Sequence, residues 1–246
     1  MLRALTFSLI VSLGLGASFA AHADVPTAPS SRTASGTESG TALAAPRAPA
    51  VPTDARTVAA AVQAFYAQTD TLEARFTQTH HHRVYARTQR STGRLALDKP
   101  GRLRFDYDDG KVFLSDGRHF VAYEPGDAGE PGQYAKNAVG ASEVPAAFAF
   151  LTGDARVSDY RTRLLSGRSH GWSGPVLELV PRTRDPQVRR LVLFVDARLP
   201  GVVHRLRVED HEGNTNQFEL RDVRYDRPVD AARFRFLPPA GSRRVS

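Results

Sequence analysis

The segment from Gly93 to Pro125 reads GRLALDKPGRLRFDYDDGKVFLSDGRHFVAYEP, and it admits almost nothing but a β-meander. Leu95 and Leu97 alternate with Arg94, Ala96 and Asp98, and after Lys99-Pro100-Gly101 the residues Leu103, Phe105 and Tyr107 alternate with Arg102, Arg104 and Asp106. Asp108-Asp109-Gly110 and Ser115-Asp116-Gly117 bracket a short run, Val112 to Leu114, and Phe120, Val121 and Tyr123 close the block. Period-two patterning cut by Asp-Gly turns is the strongest short-range hairpin signal. If the first strand runs far enough, Lys99 projects to the same side as Leu95 and Leu97, which puts a cation at the end of an apolar face.

The rest of the chain extends this pattern. Leu72 to Tyr85, Val157 to Leu165, Pro175 to Pro181, Val188 to Val195, Val202 to Asp210, Asn216 to Tyr225 and Phe234 to Leu237 read as strands, with His211-Glu212-Gly213-Asn214 as a hairpin loop. Consecutive hairpins make one large antiparallel sheet, which must curl to cover its apolar face, so the fold class is mainly β. One helix precedes it. Asp54 is a good N-cap, and Val58, Val62 and Phe65 repeat at i, i+4, i+7 in an alanine-rich stretch ending near Gln68. A second, short helix is expected in Val144 to Gly153, VPAAFAFLTG, with Pro145 in its first turn and Phe148 and Leu151 three apart. It reads either as a plug in the core or as a lid over the concave face of the sheet.

The ends bound the folded part. Arg3, the apolar run Ala4 to Leu15 and the small-x-small site Ala21-His22-Ala23 predict a cleaved export signal over residues 1–23. Residues 24–52 are rich in Pro, Ala, Ser, Thr and Gly, and cannot bury enough apolar surface to offset their ordering entropy; they read as a disordered linker. The folded domain is expected over 53–246, one domain without internal repeats. The expected destination of such an exported chain is the periplasm of a Gram-negative bacterium. The absence of cysteine removes disulfides, thiolate metal sites, cysteine nucleophiles and a lipidated N-terminal cysteine together. The formal charge is +7, carried almost wholly by arginine, since Lys99, Lys111 and Lys136 are the only lysines. No nucleic-acid partner is expected, because export and the lack of any recognition motif both argue against it.

Few side chains suggest chemistry. His80 and His82 share a strand face but have no third ligand at a diagnostic spacing, and His80-His81-His82 reads as a solvated strand edge. Asp106, Asp108 and Asp109 could supply paired carboxylates for glycoside hydrolysis, but Asp108 and Asp109 are expected in a turn, where aspartate serves its own backbone. No nucleophile elbow, P-loop or dinucleotide fingerprint occurs, so an enzyme is not expected, and no metal or cofactor is implied. Trp172 lies in the Gly-rich stretch Ser169 to Gly174, either as an exposed partner contact or as a plug at the sheet rim.

A set of short pieces, in order, resembles one family. Phe76-Thr77-Gln78 follows the first helix; Gly93-x-Leu95 leads into Lys99-Pro100-Gly101-Arg102-Leu103-Arg104-Phe105-Asp106-Tyr107; Leu114-Ser115-Asp116-Gly117 and Tyr123-x-Pro125 follow. Later come Leu177-x-Leu179-x-Pro181, Val195-Asp196 and Val229-Asp230-x-x-Arg233-Phe234-x-Phe236-x-Pro238-Pro239-x-Gly241. Across residues 55 to 241 this order resembles the LolA family of periplasmic lipoprotein carriers.

The resemblance implies a curved, incomplete antiparallel β-barrel with an α-helical lid. It implies that Leu95, Leu97, Leu103, Phe105 and Tyr107 line a lipid-binding cavity, and that Val58, Val62, Phe65, Phe148 and Leu151 belong to the lid. The cargo would be acylated lipoproteins, the partners a LolCDE-like inner-membrane transporter and a LolB-like outer-membrane receptor, and the carrier a monomer. The family latches its lid with an arginine in an Arg-Pro motif; here the matching residue is Lys99, which keeps the charge without the planar fork. Lys99 stands open between a weaker latch and a side chain snorkelling from a strand end. The rival readings are a carrier or sensor of another lipid or glycolipid on the same barrel and, from another class, a periplasmic hydrolase.

Overall fold

The computed structural model describes residues 54–127, 129–138, 148–152 and 156–245. The expected signal, the linker, and residues 144–147 and 153 of the expected second helix lie outside them. In chain order the elements are α1 (Ala55–Gln68), β1 (Thr71–His82), β2 (Arg87–Asp98), β3 (Arg102–Tyr107), β4 (Val112–Asp116), β5 (His119–Glu124), β6 (Gln133–Ala138), α2 (Ala149–Thr152), β7 (Tyr160–Leu165), β8 (Val176–Pro181), β9 (Arg190–Val195), β10 (Val203–Glu209), β11 (Thr215–Tyr225) and β12 (Arg243–Arg244).

Among the described residues the strands form one sheet in the order β12-β6-β5-β4-β3-β2-β1-β11-β10-β9-β8-β7. Every pairing is antiparallel except β12 on β6. β7 and β12 end the sheet without joining, so the barrel is incomplete. Flat strands would put β2 and β8 about 24 Å apart, five spacings of ~4.8 Å. Leu97 of β2 and Leu179 of β8 nevertheless belong to one buried apolar cluster with α1, so the sheet curls around the helix.

The expected turns are present. Gly110 and Gly117 both adopt φ +88°, as Asp-Gly reversals require. Asp54 caps α1, accepting from the Thr57 amide at 2.9 Å. The helix buries Val58, Ala59, Val62 and Tyr66. Gly201, at φ +91°, lies where a Cβ would meet the Ala61 carbonyl and Phe65 Cβ, so a bare backbone lets α1 settle on the β9–β10 turn.

Two expectations are corrected. Phe234 to Leu237 is not a strand: a 3-10 turn, Ala231–Phe234, is capped by Asp230, which accepts from the Ala232 amide at 2.9 Å. The alternation of Phe234 and Phe236 reflects two anchoring rings, Phe234 buried and Phe236 packed beside Tyr123 and Tyr134. The histidine triplet is not at a sheet edge, because β1 is paired on both sides, by β2 and β11. His80 and His82 do share a face, but it is the concave one, in line with Leu72, Ala74 and Phe76. The polar QYAKNA of β6, which no apolar alternation marks as a strand, pairs with β5 along its full length.

Candidate functional site

The concave face carries an apolar wall. Leu95 and Leu97 of β2 stand opposite Phe105 and Leu103 of β3, and Tyr107 stands opposite Gly93. The four apolar side chains are 1–3% exposed and Tyr107 9%. Gly93 has a steric purpose, because its missing side chain admits the ring of Phe76, whose Cζ lies 2.7 Å from where a Cβ would stand. Phe76 then packs edge-on against Phe105 and Tyr107, at 5.5 and 5.0 Å between centroids.

Helical residues cover this wall. Val58 and Val62 are buried, as is Leu151, and Phe148 is fully enclosed. The Phe148 ring is T-shaped to both Phe105 and Phe218, each at 4.9 Å. Phe65 is only half-buried, edge-on to Tyr66 and Tyr225 at 5.1 and 5.0 Å. The fully buried aromatic of α1 is its neighbour Tyr66, which continues the Val58, Val62 stripe at i+8 and could have been read from that spacing.

Tyr66 is also where the helix is tied to both arms of the sheet. Its hydroxyl accepts from the Val203 amide of β10 at 3.2 Å, and its carbonyl accepts from the Lys99 ammonium. Lys99 follows β2 directly and its own amide donates to the Asp70 carbonyl at 2.9 Å. The last four carbonyls of a helix lack intrahelical partners and carry the negative end of its dipole. Thr69 Oγ1 satisfies that of Phe65 at 3.0 Å and Lys99 that of Tyr66. The cation at the end of an apolar strand face is thus explained by a helix terminus above it. Burial pushes the Tyr66 phenol well above its usual value, so it stays protonated.

Toward the opposite end the wall turns polar. Tyr107 donates to Gln78 Oε1 at 2.8 Å, and Gln78 Nε2 donates to Asn216 Oδ1 at 3.0 Å. Burial, with the charge of Asp109 added, drives the Tyr107 phenol upward. His80 and His82 lie beyond, ring centroids 6.2 Å apart. Gln78 belongs to the Phe76-Thr77-Gln78 motif, and its period-two position after Phe76 is the signal that it faces inward.

The outer face holds the remaining candidates. Asp106 is bonded by Arg104 Nε at 2.8 Å, Asp108 accepts from the Thr92 hydroxyl at 2.5 Å, and Asp109 accepts from the Lys111 amide at 3.2 Å, so all three serve local structure. Trp172 is half-buried at the rim, its Nε1 donating to the Val195 carbonyl at 2.8 Å and its ring edge-on to Phe194. Among the described residues no group of three or more His, Cys, Asp or Glu could hold a metal ion, and no helix is long and apolar enough to cross a membrane.

Residues 67–237 match the family described as outer membrane lipoprotein carrier protein LolA. The chain is similar to the outer-membrane lipoprotein carrier proteins of Dechloromonas aromatica (strain RCB) and Bordetella avium (strain 197N), at 26% identity to each. Those matches cover 72% and 73% of this chain and 82% and 83% of theirs. Among solved structures it is similar to the LolA superfamily protein NE2245 from Nitrosomonas europaea, at 14% identity and TM-score 0.40, covering 74% of this chain and 97% of that one. The match to the family spans well over half of the sequence, and the chain belongs to the LolA family.

Proposed function

We propose that this chain is a periplasmic carrier that shields the acyl chains of lipoproteins against its concave wall, between an inner-membrane LolCDE-like transporter and a LolB-like outer-membrane receptor. In this reading residues 1–23 direct export, 24–52 form a linker and 53–246 form the carrier domain, working as a monomer without catalysis. The observation that carries it is that Phe148 and Leu151 share one buried cluster with Leu95, Leu97, Leu103, Phe105 and Tyr107, with Phe148 edge-on to Phe105, on the surface an acyl chain would take. Each buried methylene contributes ~0.8 kcal/mol, so a long acyl chain represents on the order of 10 kcal/mol. A carrier that gained all of it would not let go. If closing the empty wall with α1, Phe148 and Leu151 recovers a comparable amount, cargo competes with the lid and net affinity stays modest. Lys99 acts as the latch of that closed state through the Tyr66 carbonyl.

Mass spectrometry of organic extracts from the protein purified from periplasm tests the reading. Acylated peptides are the expected finding; a free glycolipid would reassign the cargo, and an empty protein with esterase activity would overturn the carrier. In a reconstituted transfer assay Lys99→Leu is expected to alter loading and release, and an unchanged rate would remove the latch.

A further inference from the structure

The outer face of the sheet carries a charge arrangement that the carrier reading does not use. In β2, β1 and β11, Arg94 stands directly opposite Arg75, and Arg75 directly opposite Arg221. All three are exposed and point away from the core, since Ala74, Phe76, Leu95 and Leu220 alternate with them. Like charges directly opposite one another destabilise a sheet. The neighbouring carboxylates relieve them only in part: Asp106, directly opposite Arg94, is held by Arg104 at 2.7 Å, Glu73 by Arg233, and Glu219 by Arg205 at 3.1 Å. Among the described residues neither Arg75 nor Arg94 forms an ion pair, and Arg221 reaches Glu219 only at 3.7 Å.

The row ends in a pocket of about 570 Å³, lined in part by Arg221, Arg205, Arg198, His204 and Trp172. Its carboxylates are already engaged, Asp196 by His204 at 2.7 Å and Glu219 by Arg205. The Arg205 guanidinium stacks 5.4 Å from the Trp172 ring, which fixes the pocket wall.

We infer that this row and its pocket are a docking surface for an acidic helical segment of a partner protein. Neighbouring strands are ~4.8 Å apart, and carboxylates at i and i+4 of a helix are ~5–6 Å apart, so a helix laid across the strands meets one guanidinium per turn. Arginine suits this better than lysine, because its fork binds a carboxylate through two hydrogen bonds. A flat bilayer is the poorer fit. The curled sheet presents this face convex, so a plane touches it along one ridge and leaves the pocket unfilled.

Fluorescence anisotropy at low salt tests the assignment. The probe is a labelled, end-capped helical peptide of about 20 residues with glutamate at every fourth position, and phosphatidylglycerol vesicles serve as the rival ligand. Arg75→Gln/Arg94→Gln/Arg221→Gln is compared with Arg156→Gln/Arg161→Gln/Arg184→Gln, which removes the same charge from exposed positions elsewhere. The row variant is expected to bind the peptide roughly tenfold more weakly and the control less than about twofold. Thermal unfolding of the row variant is expected at or above that of the parent, since facing like charges have gone. Arg75→Lys, which keeps the charge, is expected to weaken binding several-fold. Equal losses in the two triple variants, a parent chain that ignores the peptide, or row-dependent binding of the vesicles instead would each overturn the proposal.

Discussion

Phe148 stands edge-on to Phe105, ring centroids 4.9 Å apart and planes at 81°, so a side chain packed over the concave face is itself part of the core. Truncating a fully buried phenylalanine costs about 3–5 kcal/mol. Phe148→Ala is expected to lose about 3 kcal/mol in urea unfolding. Under the carrier reading it also binds a fluorescent fatty acid more tightly, because the competitor for the wall has been cut away. Loss of both stability and acyl binding would contradict the competition.

Lys99 bonds the Tyr66 carbonyl from a half-buried position. Hydrogen bonds from charged donors contribute about 1.5–3 kcal/mol. Lys99→Met keeps the stem and removes the donor, leaving a carbonyl without that partner at the helix end. A loss of about 1–2 kcal/mol in chemical denaturation is expected, and a variant as stable as the parent would show that the bond contributes nothing to stability.

Two acid limbs are expected in the pH dependence of stability. Burial holds the His80 imidazole below its ordinary value of 6.5; the neighbouring charges of His82 and His81 act in the same direction and Asp210 opposes them. The unfolded chain therefore takes up this proton first, so the contribution is complete above about pH 6.5 and is lost as the pH falls through the depressed value. Glu178 contributes to the second limb, together with Asp54, Asp116 and Asp196, whose carboxyls also lie below their ordinary value. Burial alone would raise the Glu178 carboxyl, but hydrogen bonds from Arg190 and Arg163 outweigh that and hold it below its ordinary 4.5. That contribution is present above 4.5 and lost at lower pH. Melting temperatures across pH 3–8 check both: His80→Gln flattens the upper limb and leaves the lower one.

Gly93→Ala tests the close packing of the wall. The added methyl would meet the Asp106 carbonyl and the Phe76 ring, backbone on one side and a buried aromatic on the other. Overpacking of this kind costs about 1–3 kcal/mol. A lowered melting temperature is expected, whereas an unchanged one would mean that Phe76 has room to move.

What was legible in the sequence follows from what kind of force fixes each element. The meander of β2 to β5 was readable because alternation and Asp-Gly turns are local, and α1 because Asp54 and the Val58, Val62 spacing are local too. β6 was missed since its ladder with β5, rather than any apolar pattern, makes it a strand. Phe234 and Phe236 imitated a strand because rings anchored on two neighbouring surfaces also alternate. At the candidate site the wall residues could be named from period two. The partner of Lys99 could not, because a carbonyl on a helix 33 residues earlier leaves no mark in composition.

The position of β1 has a consequence for how this chain assembles. β2 to β6 and β7 to β11 are each a run of neighbours in sequence, able to zip up turn by turn. Only β1 joins the two runs, and it does so by pairing with β11, where Gln78 meets Asn216 across 138 residues of chain. Closing so long a loop gains nothing until the far strand arrives, so non-local pairing of this kind is slow. The seam between β1 and β11 therefore carries the largest loop-closure cost of any strand pairing in the sheet, and until it forms each meander exposes an apolar face and an unpaired edge to whatever is near.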